Sequence, residues 1–319
     1  MVNTRKKELQ PQRESQYLAA DRQGSADMKV RRYRIRTRLE NRDPITIALV
    51  SDFHNGNAAA VSAALDSCRP DLIAVAGDLF LGYQYQGGPD FFSGQENVLP
   101  LIRHCAKLAP TFLSLGNHEW VAPETELKTL ENEGVVILDN RWIRDEERGL
   151  VIGGLSSAML MDFRKYRFRY GADAPYPHEI RHTDRVFLRT KSDWLEDFSA
   201  QKGFRILLSH HPEYWCLREP MLRKRKIDLV LSGHAHGGQI RIFGQGLYSP
   251  GQGPFPKYTG GLFRGPYGCM IVSRGTTNTA AMVPRLFNPP EIAVIELAGH
   301  GAHHNNISHN IVSHNINQS

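Results

Sequence analysis

Five short apolar runs in this chain each break off into residues able to bind a metal ion. "ITIALV" leads into "SDFHNG", with Asp52 and His54, and "LIAVA" leads into "GD", with Asp78. "TFLSL" leads into "GNHE", with Asn117, His118 and Glu119. "RILLS" leads into "HHPE", with His210 and His211, and "DLVLS" leads into "GHAHGG", with His234 and His236. A single Asp or His after a strand is ordinary turn chemistry. Five such endings ask for a common destination, because ligand sites in open α/β sheets form beyond the carboxyl ends of the strands. Glycines beside most of them, such as Gly77, Gly116 and Gly233, permit the tight turns and close approaches that a site needs.

The donor set narrows the chemistry. Carboxylates, imidazoles and an amide oxygen suit manganese, iron or zinc better than copper or calcium. Two aspartates, three or four histidines and an asparagine exceed what one catalytic ion takes. Two ions about 3.5–4 Å apart that share a carboxylate would use them all. Such a pair activates a bridging water as hydroxide and clamps the oxygens of an in-line displacement, so phosphoester hydrolysis is the reaction class expected.

The elements that must position these residues follow from the pattern around them. "NAAAVSAALDSC", "QENVLPLIRHCAKLA", "PETELKTLENEG" and "KSDWLEDFSAQKG" read as helices, the third closed by Gly134. "VVILDN", "LVIGGL" and "EIAVIELAG" add strands to the five already named. Continuous apolar runs separated by helices imply an α/β fold whose sheet is covered on both faces. "RRYRIRTRLE" alternates instead, with Arg32, Arg34, Arg36 and Arg38 opposite Tyr33, Ile35, Thr37 and Leu39. That period of two marks a strand with one solvated basic face, as at a sheet edge. "PEYWCLREPMLRKRK" reads as a helical stretch interrupted at Pro220, and the region after Ile240 as short β pieces rich in Gly and Pro.

Composition sets the frame. The 319 residues are 41% hydrophobic and 23% charged, as in a soluble globular protein. No apolar run reaches the roughly 18 residues that would span a bilayer. Residues 1–28 read as a polar leader without the apolar core of a secretory signal, residues 29–299 as one domain, and 300–319 as a low-complexity tail. An insertion or cap is expected near 160–185, where "DFRKYRFRYGADAPYPHEIRH" breaks the rhythm. Four scattered cysteines without a C-x-x-C pair fit reduced thiols in the cytoplasm. The net charge of +6 suits an anionic partner. The arginine–aromatic segments "RRYRIR" and "RKYRFRY" fit peripheral contact with the inner face of an anionic membrane. Basic residues form no dedicated nucleic-acid module.

"DFH", "GD", "GNHE", "SHHPE" and "GHAH", in that order, resemble the five signature blocks of the calcineurin-like metallophosphoesterases. The segment from "GGQIRIFGQGLYSPGQGPFPKY" to "PPEIAVIEL" extends the likeness toward a bacterial phosphodiesterase branch that includes enzymes cleaving UDP-2,3-diacylglucosamine. The resemblance implies a four-layer α/β/β/α sandwich, two mixed sheets flanked by helices, with two divalent ions at the strand ends. It implies Asp52, His54 and His236 on one ion, Asn117, His210 and His234 on the other, and Asp78 bridging. It favours His210 over His211 as the ligand. His118 would serve as general acid or charge stabiliser, with Glu119 orienting it. Arg241, Lys257 and Arg264 are the cationic candidates for substrate phosphate. The expected activity is a phosphodiesterase acting on a lipid-linked or nucleotide-sugar phosphoester, with phosphomonoesterase or protein phosphatase as the alternative. A nuclease or a non-catalytic scaffold is a lesser reading, since no ligand of the pattern is missing.

Overall fold

The computed structural model describes residues 28–40, 43–82, 90–119, 122–157, 192–277 and 285–300. The leader up to residue 27, the insertion near 160–185 and the tail beyond residue 300 lie outside the described residues.

Two six-stranded sheets carry the fold. The first contains β1 (Lys29–Glu40), β2 (Ile45–Val50), β3 (Leu72–Ala76), β4 (Thr111–Ser114), β5 (Val136–Ile137) and β16 (Glu291–His300), in the order β1-β16-β2-β3-β4-β5. Strands β2 to β5 run parallel, and β16 lies antiparallel to β2. The second contains β6 (Arg141–Asp145), β7 (Leu150–Leu155), β8 (Phe204–Ser209), β9 (Leu229–Ser232), β14 (Gly261–Arg264) and β15 (Cys269–Val272), in the order β14-β15-β9-β8-β7-β6. Here β7, β8, β9 and β15 are parallel, with antiparallel strands at both edges. Two short hairpins follow β9: β10 (Arg241–Ile242) with β11 (Gln245–Gly246), and β12 (Tyr248–Ser249) with β13 (Gly253–Pro254).

Alternation along each strand builds three apolar layers. Ile47 and Leu49 of β2 face the other sheet, meeting a layer that includes Ile206, Leu208, Leu229 and Leu231. Ala48 and Val50 point the other way, toward Val61 and Leu65 of α1 (Ala58–Cys68) and Leu101 and Ile102 of α2 (Val98–Leu108). Leu127 and Leu130 of α3 (Glu124–Asn132) complete that layer. On the far side, Val151, Leu207 and Val230 pack on Leu195 and Phe198 of α4 (Leu195–Ala200) and on Tyr214 and Trp215. Strands apolar on both faces need cover on both faces. The result is the expected four-layer sandwich of two mixed sheets flanked by helices.

Local chemistry explains the boundaries. Asn57 caps α1 by accepting from the Ala60 amide at 3.0 Å. Gly134, at φ 101°, follows the end of α3. Strand β1 is an edge strand, with Arg32, Arg34, Arg36 and Arg38 exposed and Ile35 and Thr37 buried, as its alternation requires. The helical stretch expected over "PEYWCLREPMLRKRK" is instead two 3-10 turns, Pro212–Trp215 and Leu222–Lys224. Pro220 supplies no amide for a continuing helix, and Met221 takes a left-handed backbone (φ 53°) before the second turn. Among the described residues no helix is long and apolar enough to cross a membrane.

Gly154 of β7 lies where a Cβ would collide with the carbonyl and Cβ of Leu138. Gly154→Ala is expected to destabilise the fold by about 2 kcal/mol, lowering Tm by about 5 °C. Thermal denaturation with an unchanged midpoint would show that these strands have room to part.

Candidate metal centre

The carboxyl ends of β2, β3, β4, β8 and β9 deliver the five donor segments to one place. Loops from neighbouring strands are laced together: the Asp52 amide donates to the Gly77 carbonyl at 3.1 Å, His54 to Asp78 at 3.1 Å, and Gly233 to His210 at 3.0 Å. Asp52, His54, Asp78, His234 and His236 all hold left-handed backbones, with φ between 43° and 65°. Non-glycine residues accept that conformation at a cost of about 1–2 kcal/mol each. Such clustered strain is a feature of functional sites.

The side chains form overlapping donor clusters. Ligand atoms of Asp52, His54 and His236 lie within 4.8 Å of one another, as do those of Asp78, His210 and His234. A third group, His54, Asp78 and His118, joins them. Asp78 Oδ2 sits at the centre, 3.0 Å from His210 Nε2, 3.7 Å from His54 Nε2 and 3.9 Å from His118 Nε2. Asp52 Oδ1 is 3.4 Å from His236 Nε2 and 4.0 Å from His210 Nε2.

Backbone carbonyls decide which nitrogen of each ring faces the cluster. Nδ1 of His54 lies 3.1 Å from the Phe80 carbonyl, that of His118 2.9 Å from Leu81, and that of His210 2.7 Å from Ala76. A carbonyl there holds the proton on Nδ1 and presents the Nε2 lone pair. His54 Nε2, His210 Nε2, His234 Nε2, His236 Nδ1 and Asn117 Oδ1 are buried atoms without a hydrogen-bond partner. Buried polar atoms are normally satisfied. Orphans on the histidines of these clusters, beside two carboxylates, fit divalent cations, and Asn117 supplies a further orphan next to His118.

Charge states agree with that fit. Burial, helped by His118, drops the His54 imidazole to about 3. Burial and His211 take His234 well below its ordinary range, and burial and His54 do the same for His236. All three are neutral at pH 7, the form a metal requires. For His210, burial opposes the charge, but the Asp78 and Asp52 carboxylates outweigh it and push the imidazole up to about 10. Burial raises the Asp52 carboxyl. For Asp78 burial also acts upward, but His210 and His118 override it and hold the group well below the usual range.

Glu119 does something other than orient His118. Its carboxylate accepts from the backbone amides of Asp78 (2.8 Å), Leu79 (2.6 Å), Phe80 (3.3 Å) and Gly116. It therefore braces the turn that carries Asp78, while Leu81 orients the His118 ring. His118 is tied to the same turn by its own amide, which donates to Asp78 Oδ1 at 2.9 Å. Gly116 permits this packing, since a Cβ there would strike Asp78.

The three substrate cations fare differently. Arg241 donates to the carbonyls of Gly237 and Gly244 and to Thr259 Oγ1, and so staples the turn after His236. Arg264 pairs with Cys269 at the start of β15, level with Leu229 at the start of β9. The donor segments follow the other end of β9, so Arg264 lies away from the site. Lys257 is exposed, its ammonium 5.4 Å from the Tyr258 ring centre.

Two neighbours, Asn288 and Arg285, had no signal in the sequence. Asn288 donates to the carbonyls of His236 (2.8 Å) and Gln239 (3.1 Å), fixing the last donor turn. The Arg285 charge acts on both Asp52 and His236. His211 stacks edge-on against His234, with ring centres 4.2 Å apart, and its Nδ1 lies 3.5 Å from Glu213. The Asn288 and Arg285 contacts cross more than 40 residues of sequence, so no local motif announces them.

An α/β sandwich that gathers two clusters of nitrogen and oxygen donors at the ends of both sheets has the architecture of a binuclear metal-dependent hydrolase. The chain belongs to the calcineurin-like phosphoesterases, whose family model matches residues 45–238 and so takes in all five donor segments. It is similar to a metallophosphoesterase of Aquifex aeolicus, 26% identical over 285 residues that cover 86% of this chain and 93% of that one. It is similar to the phosphodiesterase YaeI of Escherichia coli, 25% identical over 223 residues, 66% of this chain and 67% of the other. Among solved structures it is similar to a dimetal phosphatase from Danio rerio, with 13% identity and a TM-score of 0.46 over 80% of this chain and 94% of that one.

Removing the Glu119 carboxylate strands four amides. Glu119→Ala is expected to cost about 3 kcal/mol or more and to lower bound metal, read by thermal denaturation and elemental analysis. A stable variant with full metal content would refute the bracing role. His210 supplies a pH dependence. Its proton stabilises the metal-free fold fully below about pH 6.5, and that contribution is lost as pH rises through about 10. A metal must displace this proton, so affinity should climb by up to about tenfold per pH unit between roughly pH 7 and 9. Calorimetric titration showing affinity flat with pH would contradict this.

Proposed function

We propose that this chain is a phosphodiesterase using two divalent ions. Asp52, His54 and His236 hold one ion, Asn117, His210 and His234 the other, and Asp78 bridges them. The observation that carries the assignment is the central place of Asp78 Oδ2, within 3.7 Å of imidazole nitrogens from both clusters. When bound, the ions supply positive charge for the phosphoryl oxygens and a water made nucleophilic at neutral pH. Manganese suits this mixed oxygen and nitrogen set, with iron and zinc as the other candidates.

The side chains around the ions divide the remaining work. His118 presents Nε2 at the edge of the cluster, 3.9 Å from Asp78 Oδ2, where the ring in its doubly protonated form would give the Nε2 proton to the leaving oxygen. Leu81 and Asp78 fix its ring and backbone, so the proton moves at one defined atom. Glu119 positions the bridging carboxylate through the loop amides. His211, backed by Glu213, packs against His234 and sets its ring.

A diester is the favoured substrate. The Escherichia coli relative is a phosphodiesterase, and the C-terminal segment of this chain resembles the branch acting on UDP-diacylglucosamine. A lipid-linked or nucleotide-sugar phosphoester is therefore the substrate class, with attack at an ester or pyrophosphate bond.

Bis-p-nitrophenyl phosphate should be hydrolysed faster than p-nitrophenyl phosphate by the manganese-loaded protein. Faster turnover of the monoester would move the assignment to a phosphomonoesterase. Asp78→Asn is expected to lose about a thousandfold or more in kcat together with bound metal. His118→Ala should keep both ions yet lose about a hundredfold in kcat. Unchanged turnover in that variant would remove the proton-donor role.

A further inference from the structure

The turns beyond the donor cluster carry apolar side chains that the fold leaves in water. Phe243 is 104% exposed, Phe287 84% and Phe255 74%, and Tyr248, Ile242 and Leu286 are each about half exposed. All three phenylalanines occupy left-handed backbone, at φ 48°, 55° and 50°. Glycine or asparagine would sit there more cheaply, and neither position nor packing rewards an aromatic ring within the monomer.

These residues belong to one surface. Phe243 is at the tip of the β10–β11 hairpin, whose Arg241 amide donates to the Leu286 carbonyl at 3.0 Å, next to Phe287. The Phe255 amide donates to the Leu247 carbonyl at 2.8 Å, and Gln245 Nε2 to the Pro256 carbonyl at 2.8 Å. The whole group hangs from the donor turn: the Leu247 amide reaches the Gly238 carbonyl at 3.1 Å, and Asn288 holds His236. The phenylalanines thus form a rim on turns that are tied to the last donor turn.

We infer that this rim inserts into the surface of an anionic lipid bilayer and sets the catalytic cluster against it. The charge pattern supports a lipid occupant. Between Asp228 and Glu291 there is no acidic residue, so no carboxylate of that stretch opposes an anionic surface. Exposed Lys257 stands two residues from Phe255, and exposed Arg218 donates to the Gly251 carbonyl in the β12–β13 turn. Separate rings on turn tips, with exposed Lys257 and Arg218 beside them, match a fluid interface that accepts protrusions and carries negative headgroups. A protein partner would call for a continuous complementary face. The inference extends the lipid-linked substrate reading above.

The test is flotation of the full chain with mixed phosphatidylglycerol–phosphatidylcholine vesicles. The wild type should bind, and the F243S/F255S/F287S variant should bind at least about tenfold more weakly. Added salt should weaken wild-type binding, since part of the attraction is charge. The exposed rings touch no ligand, so the triple variant should melt like the wild type and hydrolyse soluble bis-p-nitrophenyl phosphate at the same rate. Wild type that stays with the soluble fraction overturns the inference, as does a triple variant that floats equally well. Sedimentation velocity showing a wild-type dimer that the triple variant dissolves would also overturn it, by assigning the rim to a second copy. Vesicle binding and melting do not depend on turnover, so an inactive enzyme would sink the phosphodiesterase reading while leaving this outcome legible.

Discussion

Hydrogen bonds join the sheets at the metal end, and the site geometry depends above all on two made by the donor residues themselves. The His234 amide, after β9, donates to Asp52 Oδ1, after β2, at 2.8 Å. His210 Nδ1, after β8, donates to the Ala76 carbonyl at the end of β3, at 2.7 Å. Each crosses from one sheet to the other. They hold the distance between donor sets to a few ångströms, which an apolar interface between sheets does not do alone. Each cluster draws on both sheets, Asp52 and His54 with His236 and Asp78 with His210 and His234, so a change in sheet separation would open both at once.

The same arrangement concentrates charge where solvent is absent. Asp52 and His210 are fully buried, and Asp78 is 1% exposed. Carboxylates in such surroundings need cations, and neutral imidazoles need acceptors of their lone pairs. His210 meets part of the demand in the metal-free protein by keeping a proton. Divalent ions meet it in full. Glu119 handles the matching problem of the loop amides, taking four donors with one buried carboxylate. Folding energy and metal affinity are therefore linked through the same few groups.

Much of this was readable from the sequence, for identifiable reasons. The donors of the centre follow strand ends, and parallel strands must align their carboxyl ends. The arginine alternation of β1 identified an edge strand correctly because only one face of it is solvated. What eluded the sequence depends on contacts between distant segments. Glu119 looked like a partner of its neighbour His118, yet its oxygens reach amides some 40 residues earlier. Arg241 and Arg264 looked alike as free cations. Strand register places one beside the donor turn as a staple and the other at the far end of a sheet. The two turns around Pro220 show local composition failing where a helical pattern lacks the amide to continue.

Strand β16 lies between β1 and β2, although it is the last strand described and they are the first two. On the ribosome, β1 and β2 emerge long before the strand that separates them. They must stay apart, or separate again, until it arrives. The second sheet faces no such delay, because its strands all come from the middle of the chain. The last donor, His236, also precedes β16. The histidines of the second sheet are thus translated before the first sheet can close, and final assembly of the centre waits on insertion of a single late strand.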